Sequence, residues 1–199
     1  MKYLPKKIIS IFILSLIVFV IFFMLVLKFK SKTYYGDIYK KDAADFSLTD
    51  HNGRQFKLSD HKGKIVLMNF GYTSCPDVCP TTLAILRNII LEIEDSNDNL
   101  IVLFITVDPE RDTVEKLKSY IPYFHNEIVG LTGNEEDIRN VASIYNIIYF
   151  KEDEKSDKEY LMSHSPSVYL INKEGELFLK YPQHKLDPKE ISKDIKLLM

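Results

Sequence analysis

Cysteine is nearly absent from this sequence: two of its 199 residues, Cys75 and Cys79, carry a thiol. Any disulfide or sulfur-bound site must therefore draw on that one pair. Charge is missing altogether from residues 8–27, where Ser10 and Ser15 are the polar interruptions. As a helix rising about 1.5 Å per residue, such a run is roughly 30 Å long, the thickness of a bilayer's hydrocarbon core. It also lacks the polar stripe that a helix buried in a soluble core retains. No Ala-x-Ala-like cleavage site follows it, and it exceeds the usual signal-peptide core, so an uncleaved anchor is expected rather than a removed signal. The absence of a cysteine near its end argues against a lipoprotein anchor.

Basic charge is scarce beyond that run. Lys2, Lys6 and Lys7 precede it and Lys28, Lys30 and Lys32 follow it, so the positive-inside bias is nearly balanced, with the chain's amino group tipping it toward N-in. Setting those six lysines aside leaves 20 of the 26 basic residues against 28 acidic ones, a formal charge near −8. A domain with that balance is a poor nucleic-acid binder, because phosphate contacts need a basic face. Internal repeats are absent too. The expected organisation is an anchor over residues 1–32 and one domain over 33–199, about 165 residues and large enough for a core of its own. A composition 46% hydrophobic and 27% charged suits one globular domain with an appendage.

What is present reads as alternating strands and helices. Residues 46–49 and 54–58 flank Asn52-Gly53, a strong hairpin signal. Residues 64–70 (KIVLMNF) and 100–107 (LIVLFITV) are buried-strand runs, and between them residues 81–94 space their aliphatics as a helix does. Asp112-x-x-Glu115 predicts a capped helix reaching Phe124, and Asn134-x-x-Asp137 a second one toward Tyr145. Residues 129–146 read as an insertion or an extra strand and helix, and the charge-dense residues 151–159 as a solvated loop. Residues 167–172 and 177–181 form a hairpin about Glu174-Gly175, and Asp187-Pro188-x-Glu190 opens a last helix. A parallel pair joined by a helix and finished by a hairpin and a helix is the thioredoxin-like plan, so the predicted class is α/β, with an N-terminal β-hairpin and one transmembrane helix ahead of it.

The two cysteines lie four apart in FGYTSCPDVCPTTL (residues 70–83), between a buried strand and a helix. Pro80 lacks an N–H and suits the first helical turn, which puts Cys79 at or near the N-cap and Cys75 in the turn. A helix N-terminus stabilises negative charge, so both thiolates are expected to be favoured there. A structural disulfide or two inert core thiols is the plain alternative. Against it stands the location, since α/β folds keep sites at strand-to-helix turns. The three intervening residues exceed the two of the common redox motif and leave more room for a metal ion, without forbidding a disulfide.

Two sulfurs need a third ligand. His51 and His61 flank the first hairpin, His125 ends a helix and His184 lies in a polar turn, and each reads as an ordinary exposed histidine. His164, in SHSPSVYLIN, sits two residues before Pro166 and just ahead of a strand, in the loop that a thioredoxin-like fold turns toward the cysteines.

The cysteine segment, VDPERDT (residues 107–113) and the His164 loop running into YLIN-KEG together resemble the Sco/SenC family, from about Asp45 to the C-terminus. That resemblance implies a membrane-anchored, thioredoxin-fold copper chaperone for cytochrome c oxidase. It implies copper ligation by Cys75, Cys79 and His164, and delivery to the dinuclear copper site of oxidase subunit II. It also implies an extracytoplasmic domain facing the periplasm, cell exterior or mitochondrial intermembrane space. The sequence departs from the family pattern at Ser163, where many relatives carry Asp; a carboxylate there would help orient the imidazole.

The donor chemistry agrees. Two thiolates and an imidazole are a soft set suited to copper, to Cu(I) before Cu(II). Zinc is the rival and would want a fourth ligand, for which only Asp77 or Asp108 offers itself; Asp77 otherwise caps the turn and Asp108 ends a strand. A second activity, thiol–disulfide exchange by a redox-active Cys75–Cys79 dithiol, is compatible with the first and does not need His164. A peroxidase would need an arginine beside the thiol, and nothing in the sequence brings Arg111 that close.

Overall fold

The protein, seen in a computed structural model that describes residues 5–28, 33–93, 99–156 and 159–199, divides into two units, Met1–Thr33 and Tyr34–Met199. In the first, the charge-free run forms helix α1 (Lys6–Lys28), 23 residues without glycine or proline. Its described apolar side chains over residues 11–24 are exposed. Among the described residues no helix is long and apolar enough to cross a membrane. The fold thus leaves the expected span over residues 8–27 unestablished.

The second unit begins with β1 (Asp37–Asp42) and the predicted hairpin β2 (Ser47–Asp50) and β3 (Gln55–Lys57). Gly53 in its loop has φ +78°, a left-handed conformation that favours glycine. The apolar runs become β4 (Ile65–Gly71) and β5 (Leu100–Thr106), separated by α2 (Val78–Glu92). β4 is buried at all seven positions, as a strand covered on both faces must be. Then come α3 (Val114–Tyr120), β6 (Ile128–Thr132) and α4 (Glu135–Ile144). β7 (Tyr149–Ser156), β8 (Glu159–His164), β9 (Ser167–Ile171), β10 (Glu176–Pro182) and α5 (Pro188–Leu198) complete the chain.

Eight strands make one sheet in the order β1-β10-β9-β4-β5-β6-β2-β3. β4, β5 and β6 run parallel, while β9 lies antiparallel to β4 and pairs with β10. This is the thioredoxin-like arrangement of the prediction. The segment left open at residues 129–146 is an extra strand and helix, β6 and α4, and β6 joins the N-terminal hairpin to the sheet through β2. Alternate residues of each strand feed opposite layers. Ile65, Leu67, Val102 and Phe104 meet α2, α3 and α5 through Leu83, Leu86, Leu117, Ile191 and Ile195. Val66, Met68, Phe70, Leu103 and Ile105 meet α4, through Ile138, Val141 and Ala142, and the β2–β3 hairpin.

Two expectations are corrected. Residues 151–159, expected as a solvated loop, fall largely within β7 and β8, a separate two-stranded sheet; residues 157 and 158 lie outside the described residues. Asp112 does not cap α3: Thr113 does, accepting from the Lys116 N–H at 3.3 Å. The caps at Asn134 and Asp187 form as predicted.

Candidate metal centre

The end of β4 and the start of α2 set the cysteines. Gly71 closes β4, and a Cβ there would lie 3.0 Å from Cys79 Sγ and 2.8 Å from the Phe104 ring, so glycine leaves the room that the sulfur occupies. Cys79 is the second residue of α2, just inside the helix rather than at its cap, and is buried; Cys75 is half-buried in the turn. Asp77 occupies the N-cap but its side chain makes no capping bond. The Cys79 N–H instead donates to Cys75 Sγ at 3.4 Å, so sulfur takes the place of a capping oxygen. The Cys75 N–H donates to the Tyr72 carbonyl at 3.3 Å and tightens the turn.

Behind the turn stands Asp112, fully buried. It accepts from the Thr73 N–H at 2.9 Å, from the Thr73 hydroxyl and from the Thr106 hydroxyl at 2.7 Å. Three donors hold the carboxylate in place, and through Thr73 they hold the chain two residues before Cys75.

His164 ends β8, and its Nε2 lies 3.4 Å from Cys79 Sγ. For a nitrogen and a sulfur bound at roughly 2.0 and 2.3 Å to one tetrahedral ion, the two ligand atoms would be about 3.5 Å apart. The observed contact is a sulfur–nitrogen hydrogen bond, and its length is close to that of two ligand atoms sharing one metal ion. The ring meets Tyr72 edge-on, centroids 6.1 Å apart. Its Nδ1 is buried with no hydrogen-bond partner among the described residues. Among the described residues no three His, Cys, Asp or Glu side chains are already gathered as a metal shell. Cys79 and His164 are in contact, while Cys75 Sγ is directed at the helix N–H.

Burial dominates the electrostatics. It pushes the Cys79 thiol well above the usual thiol range despite a nearby Tyr72 backbone N–H, and the neighbouring Cys75 adds to the rise. Desolvation thus opposes, in the metal-free protein, the stabilisation of a Cys79 thiolate expected from the helix N-terminus. Burial also lowers the His164 pKa, which keeps the imidazole neutral and available as a ligand.

The other candidates fall apart from this cluster. His51 Nδ1 accepts from the Gly130 N–H at 3.0 Å, His61 stacks on Phe56, and His125 accepts from Glu127. His184 is exposed in a turn. Asp77 is exposed. Asp108 is buried, but it accepts from the Tyr160 hydroxyl at 2.7 Å and from Arg111 Nε, so both oxygens are engaged. Arg111 is bound to Asp108 and Tyr160 and makes no hydrogen bond to either sulfur. Sequence reasoning missed Asp112, Thr73, Tyr72 and Tyr160. Asp112 offered a local capping pattern that masked its real partners, and Tyr160 directly follows the residues 151–159 read as a solvated loop.

The SCO1/SenC family model matches residues 39–199. The SCO2-like protein of Rickettsia typhi is 38% identical over 191 residues, covering 93% of this chain and 94% of that one. The copper-bound structure of Bradyrhizobium japonicum ScoI superposes with a TM-score of 0.73 at 34% identity, over 79% of this chain and 99% of its own. Copper-bound yeast Sco1 gives 0.70 at 32% identity, over 79% and 87%. On the family match and on these identities over most of each chain, the protein belongs to the SCO1/SenC family.

Proposed function

We propose that the protein is a copper chaperone that carries one copper ion on Cys75, Cys79 and His164. Its recipient is the dinuclear copper site of cytochrome c oxidase subunit II. The observation that carries this reading is the contact of Cys79 Sγ with His164 Nε2 at 3.4 Å, beside a half-buried Cys75. Turning Cys75 Sγ away from the Cys79 N–H toward the same point would complete a two-sulfur, one-nitrogen set, the soft donors that Cu(I) prefers. Asp108 and Asp77 offer no fourth ligand, since one is doubly engaged and the other exposed; this favours copper over tetrahedral zinc. Copper bound in solved relatives supports the same reading. Residues 8–27 anchor the chain once, with residues 33–199 on the extracytoplasmic side.

The residues work as follows. The half-buried Cys75 is the accessible donor that meets incoming copper. Cys79 gives up its proton as copper binds, and the neutral His164 closes the third position. Release reverses the order when a partner supplies better ligands.

A second reading rests on the asymmetry of the pair. The Cys75 thiolate attacks a target disulfide to form a mixed disulfide and frees one target thiol. Cys79 then attacks Cys75, which releases the second target thiol and leaves a Cys75–Cys79 disulfide. His164→Ala separates the readings. Copper affinity should fall at least tenfold while dithiol exchange stays near the parent level. Unchanged copper affinity together with normal oxidase assembly would remove His164 from the site.

A further inference from the structure

The hairpin that carries His164 is not a strand of the main sheet. β7 and β8 pair with each other, and the eight-stranded order omits them. Something other than a backbone ladder must fix His164 against the cysteine turn. Tyr160 and Met162 of β8 pack in one core cluster with Tyr72 and Cys79, and a further side chain, Arg111, bridges hairpin and turn. Arg111 sits over the Tyr160 ring of β8, its guanidinium carbon 3.6 Å from the ring centroid, and its Nη1 donates to the Tyr160 carbonyl at 2.9 Å. Its Nε bonds buried Asp108, whose other oxygen takes the Tyr160 hydroxyl at 2.7 Å. Toward the site, the guanidinium is 5.7 Å from the centroid of Tyr72. Tyr72 meets the His164 ring edge-on and supplies the carbonyl that accepts from Cys75.

We propose that Arg111 is a positioning residue that sets the separation of the His164 hairpin from the cysteine turn. This rests on the reading of Cys75, Cys79 and His164 as one copper site. Arg111 bonds neither sulfur nor the imidazole; it acts through Tyr160 on one side and Tyr72 on the other. The geometry needs arginine, because only a planar guanidinium can stack on an aromatic face while directing separate N–H groups at a carboxylate and a carbonyl. The pairing is also obligatory for Asp108: a buried carboxylate without its cation would be left uncompensated. Arg111 comes from the same loop as Asp112, which holds Thr73. One loop therefore fixes both halves of the site through two different side chains.

The test uses the full chain in detergent, with its histidines and tyrosines isotopically labelled, as parent, Arg111→Lys and Arg111→Met. Arg111→Lys keeps a cation for Asp108 and so preserves folding, which a thermal melt checks. In the metal-free parent, a nuclear Overhauser contact should link the His164 and Tyr72 rings, which meet edge-on. Arg111→Lys should weaken it and Arg111→Met should abolish it, while the Cys75–Cys79 reduction potential stays that of the parent. With copper, the dissociation constant should rise by about 10- to 100-fold in Arg111→Met, the usual effect of losing a group that orients a ligand. An intact ring contact and parental copper affinity in folded Arg111→Lys, or in folded Arg111→Met, would overturn the proposal. Should Arg111→Met fail to fold, Arg111→Lys decides alone. Loss of the ring contact in a chain whose parent holds no copper would uphold Arg111 and overturn the copper site instead.

Discussion

The cysteine turn and the histidine hairpin are built by different means. The turn is continuous with β4 and α2 at the centre of the sheet, and Asp112 accepts three hydrogen bonds to keep Thr73 in place. The hairpin stands outside the sheet and is held by side chains, chiefly Tyr160 against Arg111 and Asp108. Its outer face exposes Ile148, Phe150 and Leu161. A centre assembled from one firm half and one tethered half keeps the cysteine backbone in place and lets the Cys75 side chain and the histidine hairpin adjust. That division suits a carrier, which must both hold its cargo and give it up.

The largest effect should come from breaking the firm half. Cys79→Ser removes the sulfur that touches His164 and leaves a hydroxyl that Cu(I) does not favour. Copper retained after desalting should drop to background, whereas a secondary-structure spectrum should stay that of the parent. Retention of stoichiometric copper would show that the sulfur half is not where the metal sits.

A smaller effect is expected from crowding that half without removing a donor. Gly71→Ala introduces a methyl 2.8 Å from the Phe104 ring and 3.0 Å from Cys79 Sγ, distances that require something to move. Overpacking of this kind costs about 1–3 kcal/mol. The melting temperature should fall, and Cys79 should react faster with a thiol reagent as burial is relieved. An unchanged melting point would mean that the turn is less firmly held than the hairpin, reversing the comparison.

The smallest effect is in pH. The Cys79 pKa is raised by burial, so its folded-state thiol binds its proton more tightly than the unfolded one. The stability from that neutral thiol is fully present below the ordinary thiol pKa of about 8.5 and is lost as pH rises above it. The metal-free melting temperature should therefore decline in alkali, and less so in Cys79→Ser. His164 is shifted the other way, so its contribution is present above its ordinary range and lost as pH falls through the lowered value. Between roughly pH 6.5 and 8, copper binding should release thiol protons and almost none from the imidazole. Equal alkaline losses in parent and Cys79→Ser would contradict the burial argument.

How much of this was legible beforehand differs between the halves as well. The strand-to-helix turn is written locally: KIVLMNF, two cysteines bracketed by prolines and an aliphatic helix. Position, spacing and the first-turn proline all follow from those residues. The hairpin is written in long-range contacts. Its charge-dense sequence hid two strands, and the bonds that fix it join Tyr160 to Asp108 and Arg111, far apart in sequence. Asp112 shows the same limit. Its spacing to Glu115 reads as a cap, but its partner Thr73 lies 39 residues away. Cys79 shows it too: sequence reveals the helix end, while the depth of burial that raises the thiol pKa comes from the assembled layers.

In the loaded protein two cysteine sulfurs and one histidine nitrogen should converge on a single copper ion. X-ray absorption on the reduced, copper-loaded full chain tests it directly, in parent and in His164→Ala. The account predicts two sulfur scatterers and one nitrogen scatterer in the parent, with the nitrogen lost in His164→Ala. A sulfur-only shell in the parent, or a nitrogen that survives the substitution, would contradict it.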